Sequence, residues 1–381
     1  MSKNKSFPIF LAFLAMGFGD AVGPFVGLAK KQFELSNFEA QLIAFVGFIM
    51  FGLLSVPIGL FQDRKGKKFV LMMGLAIAFA GLIIPLFGLS HYGLFLLTIL
   101  LLGAGASILQ VAGNPIMRDV SSPGKYARNL TLGQFIKAIG SISGPLIPFA
   151  AAKWFGMNWM VIFPIYSSAL LITLVIIGFT RIDEQRFENT SPASFSSCFS
   201  LFKNRFITMM VLGIFLYVGA EISISSGVPI LLSTKFNIDL ETWGLLGNAF
   251  FFIAIIIGRF AGSVVLTWIN ARKFFLITAI MSVAGLLLMF ANYQTIVIAG
   301  IFLAGLGFAN VFPLIFSITI DSLPERSNEI SGLMITAIVG GAILPPIMGL
   351  VADMTSIGFA IIVPFMAILY VTYLAIHVRN K

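Results

Sequence analysis

Twelve apolar runs, each about as long as a membrane-crossing helix needs to be, dominate this sequence. They lie at residues 7–29, 40–62, 69–89, 93–117, 129–152, 157–180, 206–233, 241–268, 273–291, 295–320, 330–352 and 357–378. Strands of an outer-membrane barrel would alternate in polarity, and open strands would leave backbone groups unsatisfied in lipid. These runs are continuously apolar, so the sequence predicts an all-α membrane protein with twelve transmembrane helices.

The composition supports a membrane protein and excludes several other classes. Only 10% of the residues are charged and the mean hydropathy is +1.02, whereas soluble domains carry about 25% charged residues. The net charge of +9 sits in short loops, which indicates membrane topology and no nucleic-acid partner. The single cysteine allows no intrachain disulfide. The first apolar run is too long for a signal-peptide core, so we expect it to be a retained span.

The distribution of basic residues predicts the orientation of the chain. Eighteen Lys and Arg residues fall on the side of the N-terminus, and the opposite side has only Lys30, Lys31, Lys153 and Lys235. Such an asymmetry places both termini in the cytoplasm. We therefore expect a multi-pass protein of the plasma (inner) membrane.

The longest polar interval, at about 181–205, divides the chain into two sets of six runs. It is a solvated linker, and its central position is also typical of two-lobed carriers. The predicted organisation is an N-terminal six-helix lobe at 1–180, a cytoplasmic linker at 181–205 and a C-terminal six-helix lobe at 206–381.

A charged loop joins the second and third runs and reads Gly59-Leu-Phe-Gln-Asp63-Arg64-Lys-Gly66-Lys67-Lys68. Its basic residues complement the negative end of the preceding helix, but Asp63 opposes it and would be better placed at the N-terminus of another helix. The loop resembles the signature loop of the major facilitator superfamily at every fixed position. That resemblance implies a twelve-helix transporter whose Asp63, Arg64, Gly66 and Lys67 latch the lobes together on the cytoplasmic side.

A partial echo of this loop, Gly349-Leu-Val-Ala-Asp353, ends the eleventh run on the opposite side of the membrane. The eleventh run is the middle helix of the last three, as the second run is of the first three. Inverted three-helix repeats would produce this correspondence. We hypothesise that Asp353 belongs to an extracellular gate; the alternative is a simple exposed acid at a helix end.

Two carboxylates lie inside predicted spans, where ionisable groups are rare and usually functional. Asp20 is flanked by glycines and followed by Pro24, so its helix should be kinked or locally opened there. Glu221 lies halfway along the seventh run, before Ser223 and Ser225. Both are candidates for proton binding, although Asp20 could instead be a structural acid satisfied by a lysine.

Polar residues in the fourth and fifth runs share helix faces, because they are three or four positions apart. They are Gln110 with Asn114 and Gln134 with Lys137. Amides that donate and accept suit sugar hydroxyls, although helix–helix contacts are the alternative for any single one. Asn248 and Asn310, in the eighth and tenth runs, are equally consistent with packing and with substrate contact. Arg259 is interpreted as a snorkelling or latch residue.

Several motifs together resemble the fucose–proton symporter family, which includes glucose/galactose carriers. They are Gln110-x-x-x-Asn114-Pro115, Gly133-Gln134, Tyr217-Val-Gly-Ala-Glu221, Gly258-Arg259-Phe and Val339-Gly-Gly-Ala-Ile. The resemblance covers nearly the whole chain and implies proton-driven uptake of a monosaccharide. Members of the fucose type carry a carboxylate where Gln110 stands and an aspartate about one turn after Asp20. Most members have an asparagine where Lys137 stands.

Lys137 therefore has two interpretations. It could pair with Asp20 or Glu221, so that protonation of the acid releases the lysine. It could instead bind a carboxylate on the substrate, which would make the protein a carrier of an acidic sugar or another organic anion. The residues favour the ion pair, because the acids are present in the sequence.

The predicted function is secondary transport of a monosaccharide by proton symport, through alternating access. A drug or metabolite exporter and, less expected, a non-transporting membrane sensor are alternatives. Enzyme activity is not expected, since the sequence has no nucleophile constellation and no metal-ligand cluster. No cofactor is expected. The partners would be a sugar, protons (sodium is an alternative) and the lipid bilayer, with the protein a monomer.

Overall fold

The computed structural model describes residues 7–89, 91–120, 126–182, 184, 195–239, 245–266, 268–323 and 326–379. Within these ranges some side chains are outside the description, among them those of Asp63, Arg64 and Asn114. Every regular element in the described ranges is helical, which confirms the predicted fold class. The α-helices are α1 Phe7–Asp20, α2 Val22–Phe33, α3 Asn37–Lys65, α4 Lys67–Ile83, α5 Tyr92–Val120, α6 Tyr126–Phe155, α7 Ile162–Phe179, α8 Phe195–Ser200, α9 Arg205–Phe236, α10 Leu245–Val265, α11 Ala271–Met289, α12 Gln294–Phe308, α13 Val311–Ser322, α14 Ser327–Thr336, α15 Gly340–Met354, α16 Ile357–Ala360 and α17 Ile362–Arg379.

The described helices account for the twelve predicted crossings. Eleven helical stretches are long and apolar enough to span a membrane, and the shorter apolar helix Gly247–Gly262, within α10, takes the eighth position. Four crossings consist of two consecutive helices: α1–α2, α12–α13, α14–α15 and α16–α17. Because twelve is an even number, α1 begins and α17 ends on the same side of the bundle. We call this the terminal side and the opposite one the far side.

The second crossing begins three residues earlier than its apolar run, which starts at residue 40. A capping box causes the difference: Glu39 N donates to Ser36 Oγ at 3.1 Å, and Ser36 N donates to a Glu39 carboxylate oxygen at 2.9 Å. These reciprocal bonds satisfy two backbone donors that a helix start otherwise leaves open. Hydropathy alone does not detect such polar starts.

The first crossing is interrupted at Asp20, where an opening was predicted. Helix α1 ends at Asp20, and α2 begins at Val22. Pro24 has no N–H, so the carbonyl of Asp20 lacks its normal donor one turn later. The interruption therefore places a carboxylate next to a backbone carbonyl that is free of its helical bond.

Helices α1 and α6 touch through their backbones near this interruption. A methyl group added at Gly17 would lie 2.1 Å from the carbonyl oxygen of Lys137, and one added at Gly140 would lie 2.3 Å from that of Leu14. Only glycine permits this approach. The contact fixes the height of Lys137 relative to the end of α1.

We expect Gly17→Ala to destabilise the protein by about 1–3 kcal/mol, because the new methyl group would have to push the α6 backbone away. The thermal unfolding temperature of the purified, detergent-solubilised protein measures the change. Gly332→Ala is the matched control, since a methyl group there meets nothing within 4 Å. Equal unfolding temperatures for the two variants would show that α1 and α6 can separate without loss.

The first six and the last six crossings meet along three pairs of crossings. Helix α3 packs against α14 and α15, α2 packs against α9, and α6 packs against α10. The α3–α15 pair is the most extensive of these and belongs to the far side. The pairs α2–α9 and α6–α10 bring the intramembrane polar residues of the two halves towards one another.

Candidate substrate and proton site

An ion pair joins the first and fifth crossings at the α1 interruption. The Lys137 Nζ atom lies 3.1 Å from Asp20 Oδ2, and the Ser141 hydroxyl donates to the same oxygen at 3.0 Å. The Lys137 and Asp20 side chains are 15% and 26% exposed, so the pair borders accessible space. Of the two interpretations of Lys137, the ion pair with Asp20 is the one present in the structure.

The sequence analysis did not identify Ser141 as a site residue, although its spacing from Lys137 indicates that the two side chains share a helix face. It lies four residues after Lys137 and therefore on the same face of α6. Its hydroxyl also contacts the Lys137 carbonyl oxygen, at 3.2 Å, so it is anchored to the helix while it donates to Asp20. Ser141 thus gives the Asp20 carboxylate oxygen a second contact besides Lys137.

The glutamines of the first half flank the same stretch of α1. Helix α1 packs against both α5 and α6, with Gly19 against Ala106 and Phe13 against Gly133. Gln110 and Gln134 lie one turn or less from these contacts, are half-buried, and have no hydrogen-bond partner among the described residues. Amides in this state can bind a ligand without first breaking a protein bond. Asn114 lies on α5, but its side chain is not among those the structure describes. Its predicted contact with the substrate therefore stays a prediction.

The second half contributes another acid and base. Glu221 on α9 interacts electrostatically with Arg259 on α10, and also with Asp20 and Lys137 of the first half. Two carboxylates and two cations therefore lie within electrostatic range of one another across the interface, and of these four Lys137 and Asp20 form the direct ion pair. Arg259 thus lies within electrostatic range of Glu221, which the interpretation as a snorkelling or latch residue did not anticipate.

Tyr217, one turn before Glu221 on α9, contacts a break in the tenth crossing. Its hydroxyl donates to the Phe308 carbonyl oxygen at 2.8 Å. Phe308 is the last residue of α12, and α13 begins at Val311. A carbonyl at a helix end needs a partner from outside the helix. Tyr217 supplies it and ties the break to the helix that carries Glu221.

The two asparagines of the second half have packing contacts. Asn310 Nδ2 donates to the Gly258 carbonyl oxygen at 2.7 Å, and the asparagine fills the space beside Gly262. Asn248 Nδ2 donates to the Ser225 carbonyl oxygen at 2.6 Å. Both side chains are buried. These contacts favour the packing interpretation, and substrate contact by either residue stays a prediction.

The sequence of this chain is similar to that of a large transporter family. The sequence profile of the Major Facilitator Superfamily matches residues 9–230 and 210–381, which together span nearly the whole chain. The chain belongs to the major facilitator superfamily. The first match covers the first six crossings and most of the seventh, the second covers most of the seventh and the last five, and the relatives of the chain are transporters.

Membership of the fucose–proton symporter branch is also confirmed. A "Glucose/galactose transporter" of Brucella abortus biovar 1 (strain 9-941) is 31% identical over 355 residues, which cover 90% of this chain and 86% of the relative. An "L-fucose-proton symporter" of Haemophilus influenzae is 23% identical over 404 residues, with 92% and 91% covered. Among solved structures, the E. coli fucose:proton symporter superposes with a TM-score of 0.69 at 20% identity, with both chains covered to 100%. The likeness shows that the folds agree.

The superfamily's signature loop has a local anchor on the terminal side. Gly66 has φ +91°, a conformation that favours glycine, and a Cβ there would contact a Glu184 carboxylate oxygen. Both Glu184 carboxylate oxygens accept backbone N–H bonds at the start of α4, from Lys67 and Lys68 at 2.8 Å each. The Lys67 ammonium pairs with Asp119. The predicted docking of Asp63 and Arg64 concerns side chains outside the description.

Another acidic residue, Asp353, caps a helix on the far side. Here the acid and the helix belong to different halves. Asp353, on α15, accepts the backbone N–H of Asn37 at 2.8 Å and of Phe38 at 2.7 Å. These are the first two residues of α3, where free N–H groups and the helix dipole favour an anion. Gly349 lets α15 approach closely, since a Cβ there would lie 2.7 Å from the Asn37 carbonyl oxygen. On the far side, the two halves are therefore in direct contact through α3 and α15.

Proposed function

We propose that this protein imports a monosaccharide by proton symport, through alternating access. The observation that carries the proposal is the Lys137–Asp20 ion pair within electrostatic range of Glu221 and Arg259 of the other half, near amides that have no hydrogen-bond partner among the described residues. The names of the relatives, glucose/galactose transporter and L-fucose-proton symporter, support a sugar as substrate and the proton as coupling ion. We place the protein in the plasma membrane, with both termini in the cytoplasm. Its N-terminal lobe is 1–180, its C-terminal lobe is 206–381, and the cytoplasmic linker lies between them.

Asp20 and Glu221 are the proposed proton-binding groups. A proton on Asp20 removes the charge that holds Lys137, and the freed ammonium then lies within the field of Glu221. Because these two acids belong to different halves, a change of partner by Lys137 alters the attraction between the halves. Proton binding and movement of the lobes are thereby coupled through one two-state element.

Sugar recognition is assigned to Gln110, Asn114 and Gln134. Each amide offers donors and an acceptor, and each sugar hydroxyl can act as both. Lys137 borders the same space but already has a carboxylate partner in Asp20. That pairing supports a neutral sugar more than an acidic one, for which the lysine would have to exchange Asp20 for the substrate.

Two helix caps are the proposed gates. On the far side, which we place outside the cell, Asp353 closes the halves by capping α3. On the cytoplasmic side, Asp63, Arg64, Gly66 and Lys67 form the latch when the cavity faces outward. The structure described here has the far-side contact formed, which supports an inward-facing state as the one in which Asp353 acts.

We expect proteoliposomes containing the purified protein to accumulate labelled D-glucose or D-galactose when an inward proton gradient is imposed. Accumulation should collapse on addition of a protonophore, because the gradient is the source of energy. Equal accumulation with a sodium gradient at constant pH would assign the coupling to sodium. Uptake of neither sugar, with a uronic acid accumulated instead, would favour the acidic-sugar alternative, and no gradient-dependent uptake of any sugar would contradict the proposal.

A further inference from the structure

Five polar side chains form a buried layer between the far-side gate and the central charges. We call Gln41, Ser223, Ser225, Ser226 and Asn248 the polar layer, and each is at most 1% exposed. Ser226 Oγ donates to Gln41 Oε1 at 2.7 Å, which joins α9 of the second half to α3 of the first. The polar layer therefore crosses the interface that must separate when the far side opens.

The hydrogen bonds of the polar layer are incomplete. Gln41 Nε2, Ser223 Oγ, Ser225 Oγ and Asn248 Oδ1 are buried and have no partner within the part of the chain that the structure describes. A buried polar group left without a partner costs about 1–3 kcal/mol, so such groups are rare in native proteins. Apolar side chains would seal this interface at lower free energy. The unpartnered atoms of the polar layer can accept new partners when another state exposes them.

Close packing leaves little room for a ligand in the present conformation. The position of a Cβ on Gly23 would overlap Ser225 Oγ, and one on Gly349 would lie 3.0 Å from Gln41 Cγ. These contacts are between halves, so separation of the far side exposes the unpartnered atoms to whatever enters. The polar layer itself contains amides and hydroxyls and no charged group, which suits a neutral ligand rich in hydroxyls.

We propose that the polar layer is an entry site, which binds hydroxyls of the sugar when the far side is open. Along α9, Ser223 and Ser225 lie within about one turn beyond Glu221, so a sugar arriving from the far side meets the polar layer before it reaches the central charges. When the sugar moves inward, Gln41 and Ser226 bond to each other and the interface closes behind it. This inference rests on the proposed monosaccharide transport and adds a second place where the sugar is recognised.

The test compares each sugar with its monodeoxy analogues in proteoliposomes. In Gln41→Leu and in Ser225→Ala, we expect KM for uptake of the parent sugar to rise about tenfold, which corresponds to about 1.4 kcal/mol. For the analogue that lacks the bound hydroxyl, KM should be the same in variant and wild type. Ser282→Ala is the matched control: this serine is equally buried, but its hydroxyl bonds to Thr278 within its own helix.

The outcomes separate the entry site from a simple seal. A loss of discrimination confined to one analogue supports direct contact between the polar layer and that hydroxyl. If KM changes by the same factor for the sugar and every analogue, the polar layer affects only opening and closing, and the inference is overturned. Thermal unfolding of each variant identifies any variant that fails to fold. Ser226→Ala is then used in place of that variant. Wild-type protein that transports no sugar would contradict the proposed function itself.

Discussion

Replacement of Asp20 with asparagine should abolish concentrative uptake and leave exchange of sugar across the membrane largely intact. The asparagine is neutral at every pH, so the step in which a proton releases Lys137 no longer exists. Sugar still reaches Gln110 and Gln134, which are unchanged. In proteoliposomes, the accumulation ratio should fall from well above 1 to about 1, because uptake without coupling only equilibrates the sugar. Counterflow should continue at a rate within a few-fold of wild type.

The same substitution should also lower stability, because it leaves the Lys137 cation without its partner. Removal of one member of a fully buried pair costs about 3–5 kcal/mol, and this pair is partly exposed, so we expect a smaller loss. The double variant Asp20→Asn/Lys137→Met should recover the unfolding temperature but not accumulation. An Asp20→Asn protein that still concentrates sugar would assign proton coupling to Glu221 alone.

Lys137→Asn is the companion of this experiment. It removes the cation and introduces the asparagine that most members of the resembled family have at this position. Transport of neutral sugar by this variant, with no dependence on anions, would exclude the acidic-sugar interpretation. Loss of uptake confined to acidic sugars would instead show that the ammonium binds the substrate.

Asp353→Asn should open the far side. The carboxylate accepts two backbone bonds at the start of α3, and a neutral amide can replace only part of that interaction. We expect the closed state to lose about 1.4 kcal/mol, which is a tenfold change in the ratio of open to closed molecules. A membrane-impermeant thiol reagent added from the far side should then modify a cysteine at Ser225 about tenfold faster, in a background in which Cys198 is replaced by serine.

Glu34→Gln is the control for this prediction. Glu34 is an exposed acid on the same side, at the end of α2, and its replacement removes the same charge. Modification should proceed at the wild-type rate in this variant. If Asp353→Asn and Glu34→Gln behave alike, Asp353 is an exposed helix-end acid and not part of a gate.

The architecture could be predicted from the sequence because hydropathy and motif spacing are properties of residues that are neighbours in the chain. The number of crossings, the all-α class and the opening at Asp20 follow from runs of neighbouring residues. The family followed from short motifs such as the loop around Gly66. Helix starts were less accurate, since the capping box at Ser36 and Glu39 is polar and lies outside the apolar run.

The partners of the polar residues could not be predicted in the same way. Whether Asn310 contacts a ligand or the Gly258 carbonyl depends on the rotation of two helices whose contact residues are 52 positions apart. The association of Arg259 with Glu221 and the capping of α4 by Glu184 depend on tertiary contacts of the same kind. Single-sequence patterns show which residues are unusual for a membrane, but they do not show which residues meet.

The glycine contact between α1 and α6 has a consequence for where deformation occurs during the transport cycle. With no side chains between them at Gly17 and Gly140, the two helices cannot slide or roll without a backbone clash. We therefore expect the backbone segments that carry Asp20, Lys137 and Gln134 to move together, so that their relative positions are set before the sugar arrives. Little conformational entropy is lost there on binding. The α1–α2 interruption is then the place where the first crossing can bend without separating α1 from α6.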